Sequence, residues 1–193
     1  LLGVVMVAAL GFVWQGLFNF YVKYVTTVKE LSPATAGTML TVVFAAGVPA
    51  FWLSGRLADR LPNVPYILAI HLAFVVCLVA LTVVSSRAAL FVVTAAIGYV
   101  VHSLFPALDT YVLGIFPAEN RGAAYAVFSG TALLIEAGGS GALGILTEAG
   151  FEFDAVFLAF AGALTVVLVG LAGLYVVGVF PTSASESGTV ERS

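Results

Sequence analysis

Gly55-Arg56-Leu57-Ala58-Asp59-Arg60-Leu61-Pro62 sets two arginines and an aspartate within eight residues, between long uncharged apolar runs. Charges placed this way read as a short turn between two membrane-spanning helices, because ionised side chains are costly in hydrocarbon and cheap at its surface. The surrounding composition agrees. The chain is 62% hydrophobic and 9% charged, with a mean hydropathy of +1.14. A soluble domain carries about 25% charged residues. A globule of 193 residues could not cover a water-facing surface with so few charges, so the chain reads as a polytopic membrane protein.

Six apolar runs are long enough to span a bilayer: 1–24, 34–55, 65–84, 88–116, 122–147 and 155–180. A spanning helix needs about 20 such residues at about 1.5 Å each. Strands of a membrane barrel are short and alternate, so runs this continuous predict an all-α fold. The connections are brief: 26–33, 56–64, 85–87, 117–121 and 148–154. After Phe180 the chain turns polar, and 181–193 reads as a disordered cytoplasmic tail. Leu1 to Phe20 lacks the basic start and short core of a secretory signal. It reads as a spanning helix with upstream sequence missing, so the chain is expected to be a fragment.

Several functions are excluded or unsupported. No basic run offers a nucleic-acid surface, and the net charge of -3 points to no partner. Cys77 alone cannot form an internal disulfide, and His71 and His102 lie on different runs without metal-ligand spacing. The glycines after Gly138 lack the lysine and hydroxyl residue of a phosphate loop. Neither an enzyme activity, a cofactor nor a metal is expected.

Lysine and arginine balance sets the orientation. With the Arg56–Arg60 turn inside, Arg56, Arg60, Arg121 and Arg192 lie inside, and Lys23, Lys29 and Arg87 outside. The margin is narrow, and it agrees with both ends lying in the cytoplasm. Six spans also divide into two units, 1–86 and 87–180, of similar length. Three spans per unit require opposite topologies, the inverted-repeat plan common in secondary transporters.

Gly55-Arg56-Leu57-Ala58-Asp59-Arg60 resembles the loop signature of the major facilitator superfamily, Gly-x-Leu-Ala-Asp-Arg-x-Gly-Arg-Lys, which joins the second and third helices of a six-helix half. The match ends at Pro62-Asn63-Val64, where the family has a glycine and two basic residues. Such decay resembles the second-half copy of the motif. The absence of the first half's Gly-Pro pair in its fifth helix, and of the arginine in its fourth, points the same way. Pro117-Ala118-Glu119-Asn120-Arg121-Gly122 resembles the acidic and Arg-Gly loop before the fifth helix of a half, and reads equally as a plain turn with a basic anchor. The resemblance implies the C-terminal six-helix half of a secondary transporter in the plasma membrane. Its partners would be the missing N-terminal half, the lipid bilayer, a small-molecule substrate and protons. The alternative is a six-span scaffold or sensor without transport; a third is a half-sized transporter working as a homodimer.

Within this frame Gly55, Asp59, Arg60 and Arg121 are candidates for a conformational gate. Asp59 can bind the N–H groups of a helix start, and Arg121 is its candidate partner. The same residues also read as ordinary membrane-flanking charges. Five residues are candidates for the substrate or ion pathway: Gln15, Asn19, His102, Asp109 and Glu136. His102 and Asp109 are seven residues apart, two turns on nearly one helix face, with Pro106 between them to kink the helix. They read as a proton- or substrate-binding face, or as a bonded neutral histidine plus a member of the inner charge network. Glu136, among glycines at mid-span, could bind a cation, a proton or a basic substrate group, or be a neutral acid bonded across a helix interface. Gln15, Asn19 and Lys23, at i, i+4 and i+8, form a polar stripe that reads as a water path or as interhelical bonding. Trp14, Phe18, Tyr21 and Tyr24 read as an interface belt or a pocket wall.

Overall fold

A computed structural model describes residues 2–180. The expected tail, 181–193, lies outside the described residues. Six long helices follow the apolar runs: α1 (Leu2–Thr27), α2 (Pro33–Ala58), α3 (Asn63–Val83), α4 (Arg87–Ile115), α5 (Arg121–Glu148) and α6 (Phe153–Val176). All six are long and apolar enough to cross a membrane. One turn of 3₁₀ helix, Ala118–Asn120, precedes α5.

Local chemistry sets the ends. The hydroxyls of Ser32 and Ser86 accept from the backbone N–H groups of Thr35 and Ala89, each at 3.2 Å, and so start α2 and α4. Gly150, with φ of 94°, lets the chain reverse after α5, a backbone shape that a β-carbon disfavours. Gly178, with φ of 75°, stops α6 before the run expected to reach Phe180. Another difference concerns the charged turn. α2 continues through Arg56 to Ala58, because the Arg56 guanidinium lies 3.6 Å from the Trp52 ring and keeps that last turn helical. Only Asp59 to Pro62 is left as turn.

The helices pack in crossed pairs. α2 packs most extensively on α4, and α1 on α5; α3 lies against α4 and α6. Exchanging α1–α3 with α4–α6 maps the first pair onto the second. In both pairs a glycine brings backbones into contact. A β-carbon on Gly98 of α4 would strike the backbone of Val43 in α2, and one on Gly139 of α5 would strike the carbonyl of Phe12 in α1. Between the pairs sits a core of fully buried side chains, among them Met6, Leu17, Tyr24, Met39, Phe74 and Phe157.

Candidate functional site

The Asp109 carboxylate lies six residues before the end of α4, and Tyr125 lies four residues into α5. Helix antiparallelism brings them together, and the Tyr125 hydroxyl donates to Asp109 Oδ1 at 2.6 Å. Further along α5, Ser129 and Glu136 fall on the same face as Tyr125, at i+4 and i+11. These four polar side chains, with Phe105 and Phe128, line a cavity of about 150 Å³ bounded by α1, α4 and α5.

Glu136 occupies that wall because α1 leaves room for it. A β-carbon on Gly11 would overlap the Glu136 carboxyl group. Glu136 is half-buried, and no hydrogen bond or ion pair holds its carboxylate among the described residues. Asp109 has no cationic partner among them either; the ion pair found there joins Lys29 and Asp154 at the far end, 4.0 Å apart.

His102 lies elsewhere. One of its ring nitrogens, Nδ1, donates to the Gly98 carbonyl at 2.6 Å. Gly47 of α2 gives the ring space, since a β-carbon there would stand 2.7 Å from it. Phe44, Phe51 and Phe105 surround it with ring centroids 6.0, 5.8 and 6.3 Å away. The shared helix face does not make His102 and Asp109 one site: the first faces α2 and the second faces α5. Phe105 connects the two regions, since it lines the cavity and stacks on Phe51 at 5.9 Å.

The polar stripe of α1 ends in interhelical bonds. Asn19 Nδ2 donates to Ser140 Oγ at 2.7 Å and to the Gln15 carbonyl at 2.9 Å, and Ser140 Oγ donates to the same carbonyl at 3.0 Å. Lys23 lies over Phe20 and Phe153, 5.9 and 5.8 Å from their centroids. Tyr24 is fully buried in the core, where its hydroxyl donates to Asp154 at 2.6 Å.

At the turn, Gly55 faces Pro106 of α4, 3.9 Å from where its β-carbon would sit. Asp59 and Arg60 are exposed, and Asp59 closes α2 through its backbone N–H to Gly55 rather than capping α3, which starts at Asn63 behind Pro62. The Arg121 guanidinium lies 3.4 and 3.5 Å from the Phe116 carbonyl. No Asp59–Arg121 ion pair exists among the described residues in this conformation, because α2 runs a turn further than expected and Arg121 folds back on its own loop.

Tyr125, Ser129, Ser140 and Gly11 escaped the sequence reading. The signal for the first three was present: with Glu136 they fall at i, i+4, i+11 and i+15, a polar face on an apolar helix.

Six apolar helices, three of which bound a cavity that holds two carboxylates, are the build of a polytopic membrane protein. The chain belongs to the Major Facilitator Superfamily, whose family model matches residues 2–192, and this places it in a class of membrane transporters. A comparison with curated proteins finds no match.

Proposed function

We propose that the chain supplies one half of the path of a secondary transporter that moves a small solute by alternating access, with protons as the coupling ion. One observation carries this reading: Asp109 and Glu136, from two different apolar helices, line one cavity without a cationic partner among the described residues. Carboxylates in such a place mark ion and substrate routes by default, because a purely structural role would not repay their desolvation. Units 1–86 and 87–180 act as inverted repeats, and an N-terminal six-helix half completes the path from across the exposed faces of α2 and α5. Gly55, Asp59, Arg60 and Arg121 form the inner gate, with partners that change between inward- and outward-open states. Both ends lie in the cytoplasm and the protein sits in the plasma membrane.

The test is solute-dependent proton movement. The chain joined to its N-terminal half is reconstituted in liposomes holding a pH-sensitive dye, and small cationic, neutral and anionic solutes are added in turn. At least one is expected to move protons. Silence across all three classes, with correctly folded protein in the bilayer, overturns the proposal.

A further inference from the structure

We infer that the α1–α4–α5 cavity takes the ammonium head of an apolar or aromatic organic cation. The inference rests on the transport reading above and names the chemical class of its substrate. None of the cavity's lining residues is lysine, arginine or histidine, while two are carboxylates. Asp109 commits Oδ1 to the Tyr125 hydroxyl and keeps Oδ2 for another donor. A structural glutamate would be bonded across the helix interface, yet Glu136 has no such partner among the described residues and rests instead in the space left by Gly11. The site therefore lacks one positive charge.

The walls decide what kind of cation supplies it. A hard metal ion is held by a cage of oxygens. Here most of the lining is carbon, with the rings of Phe105, Phe128 and Tyr125 among it. Aromatic faces attract organic ammonium groups, which shed water more readily than metal ions. A volume of about 150 Å³ matches a cavity that holds a benzene ring. The ligand's apolar body also has a place. Phe105 stacks on Phe51 at 5.9 Å, and Phe44, Phe51 and Phe105 are 51%, 48% and 45% exposed, a shelf that shares Phe105 with the cavity lining.

The probe is radiolabelled benzyltrimethylammonium, measured by scintillation proximity on the intact chain in nanodiscs. Its neutral carbon isostere, neopentylbenzene, and the anion phenylacetate are the competitors. Saturable binding is expected that neither competitor displaces at tenfold excess. Asp109→Asn and Glu136→Gln are each expected to weaken it at least tenfold. Equal competition by neopentylbenzene overturns the inference, as does unchanged affinity in both variants. The isostere comparison uses the native chain, so a variant that fails to fold leaves the test intact. The two proposals fail separately. Proton-linked movement of neutral or anionic solutes without cation binding overturns this inference and leaves transport standing. Cation binding without flux of any solute leaves the site standing and overturns transport.

Discussion

In the α2–α4 pair Gly47 leaves room for the His102 ring, and in the α1–α5 pair Gly11 leaves room for the Glu136 carboxyl. Exchange of the first three helices with the last three pairs α2–α4 with α1–α5, but the glycine and the ionisable group change sides, and the two pairs treat that group differently. His102 satisfies itself on its own helix, donating from Nδ1 to the carbonyl four residues back, and aromatic rings shield the rest. Glu136 cannot do so. An ionised carboxylate only accepts, and the N–H groups of a helix interior are already used. It must find a donor or a cation from outside α5, and α1 offers only the space over Gly11. The ionisable group of one pair is therefore satisfied within its own helix, and that of the other is open to a ligand. Close glycine-mediated packing occurs in both pairs, but only in the second does it leave an ionisable group without a partner among the described residues.

The packing common to both pairs is the place to expect the largest effects. Gly139→Ala would put a methyl group into the Phe12 carbonyl, and Gly98→Ala would put one against the Val43 backbone. Neither backbone can swing aside as a side chain would, so each is expected to cost about 1–3 kcal/mol or prevent folding. Thermal unfolding in detergent measures this, and unchanged midpoints would refute the close approach. Next come the glycines that differ in what they accommodate. Gly11→Ala displaces Glu136 and is expected to lower solute-dependent flux at least tenfold. Gly47→Ala displaces His102 and is expected to change flux less than threefold. Reversed effects would move the site to the α2–α4 pair. The damage of Gly47→Ala to stability should be relieved by His102→Ala, with a coupling of about 0.5–3 kcal/mol in a double-mutant cycle.

A smaller effect is expected from Tyr125→Phe. It removes a hydrogen bond to a carboxylate, a contact of about 1.5–3 kcal/mol between a donor and a charged group. Because Asp109 is partly accessible, the thermal midpoint should fall only modestly while flux falls severalfold. The least effect belongs to Gly130→Ala and Gly141→Ala on α5, where a β-carbon meets nothing within 4 Å. These are expected to be neutral or to stabilise by up to about 1 kcal/mol through helix propensity. Destabilisation there would mean that a further partner packs on this face of α5.

Helix number and extent were legible in the sequence because hydrocarbon imposes one requirement everywhere: backbone groups must be bonded within the segment, and side chains must be apolar. The largest departures, at Arg56 and after Val176, occur at ends, where a single cation–π contact or a glycine decides a turn. Glu136 and Asp109 were legible as candidates for the same reason, since charge at that depth stands out. His102 stood out equally, but its own helix satisfies it. Composition cannot distinguish a donor that bonds its own backbone from an acceptor that must look elsewhere. The stripe of Gln15 and Asn19 was legible as polar, while its bonding to Ser140 depended on how α5 lies across α1.

The sequence by itself determined a six-helix membrane chain, the charged turn at Gly55–Pro62 and the shortlist of ionisable groups within its spans. All three follow from the cost of charge and unpaired backbone in hydrocarbon, which acts residue by residue. Only the tertiary structure decided which of those groups share a cavity. Asp109 bonds Tyr125 and shares a cavity with Glu136 because glycines let α1 and α5 touch and the polar face of α5 meets α4 at one end and α1 further along. That meeting depends on helix-to-helix distance and rotation, which no single segment encodes.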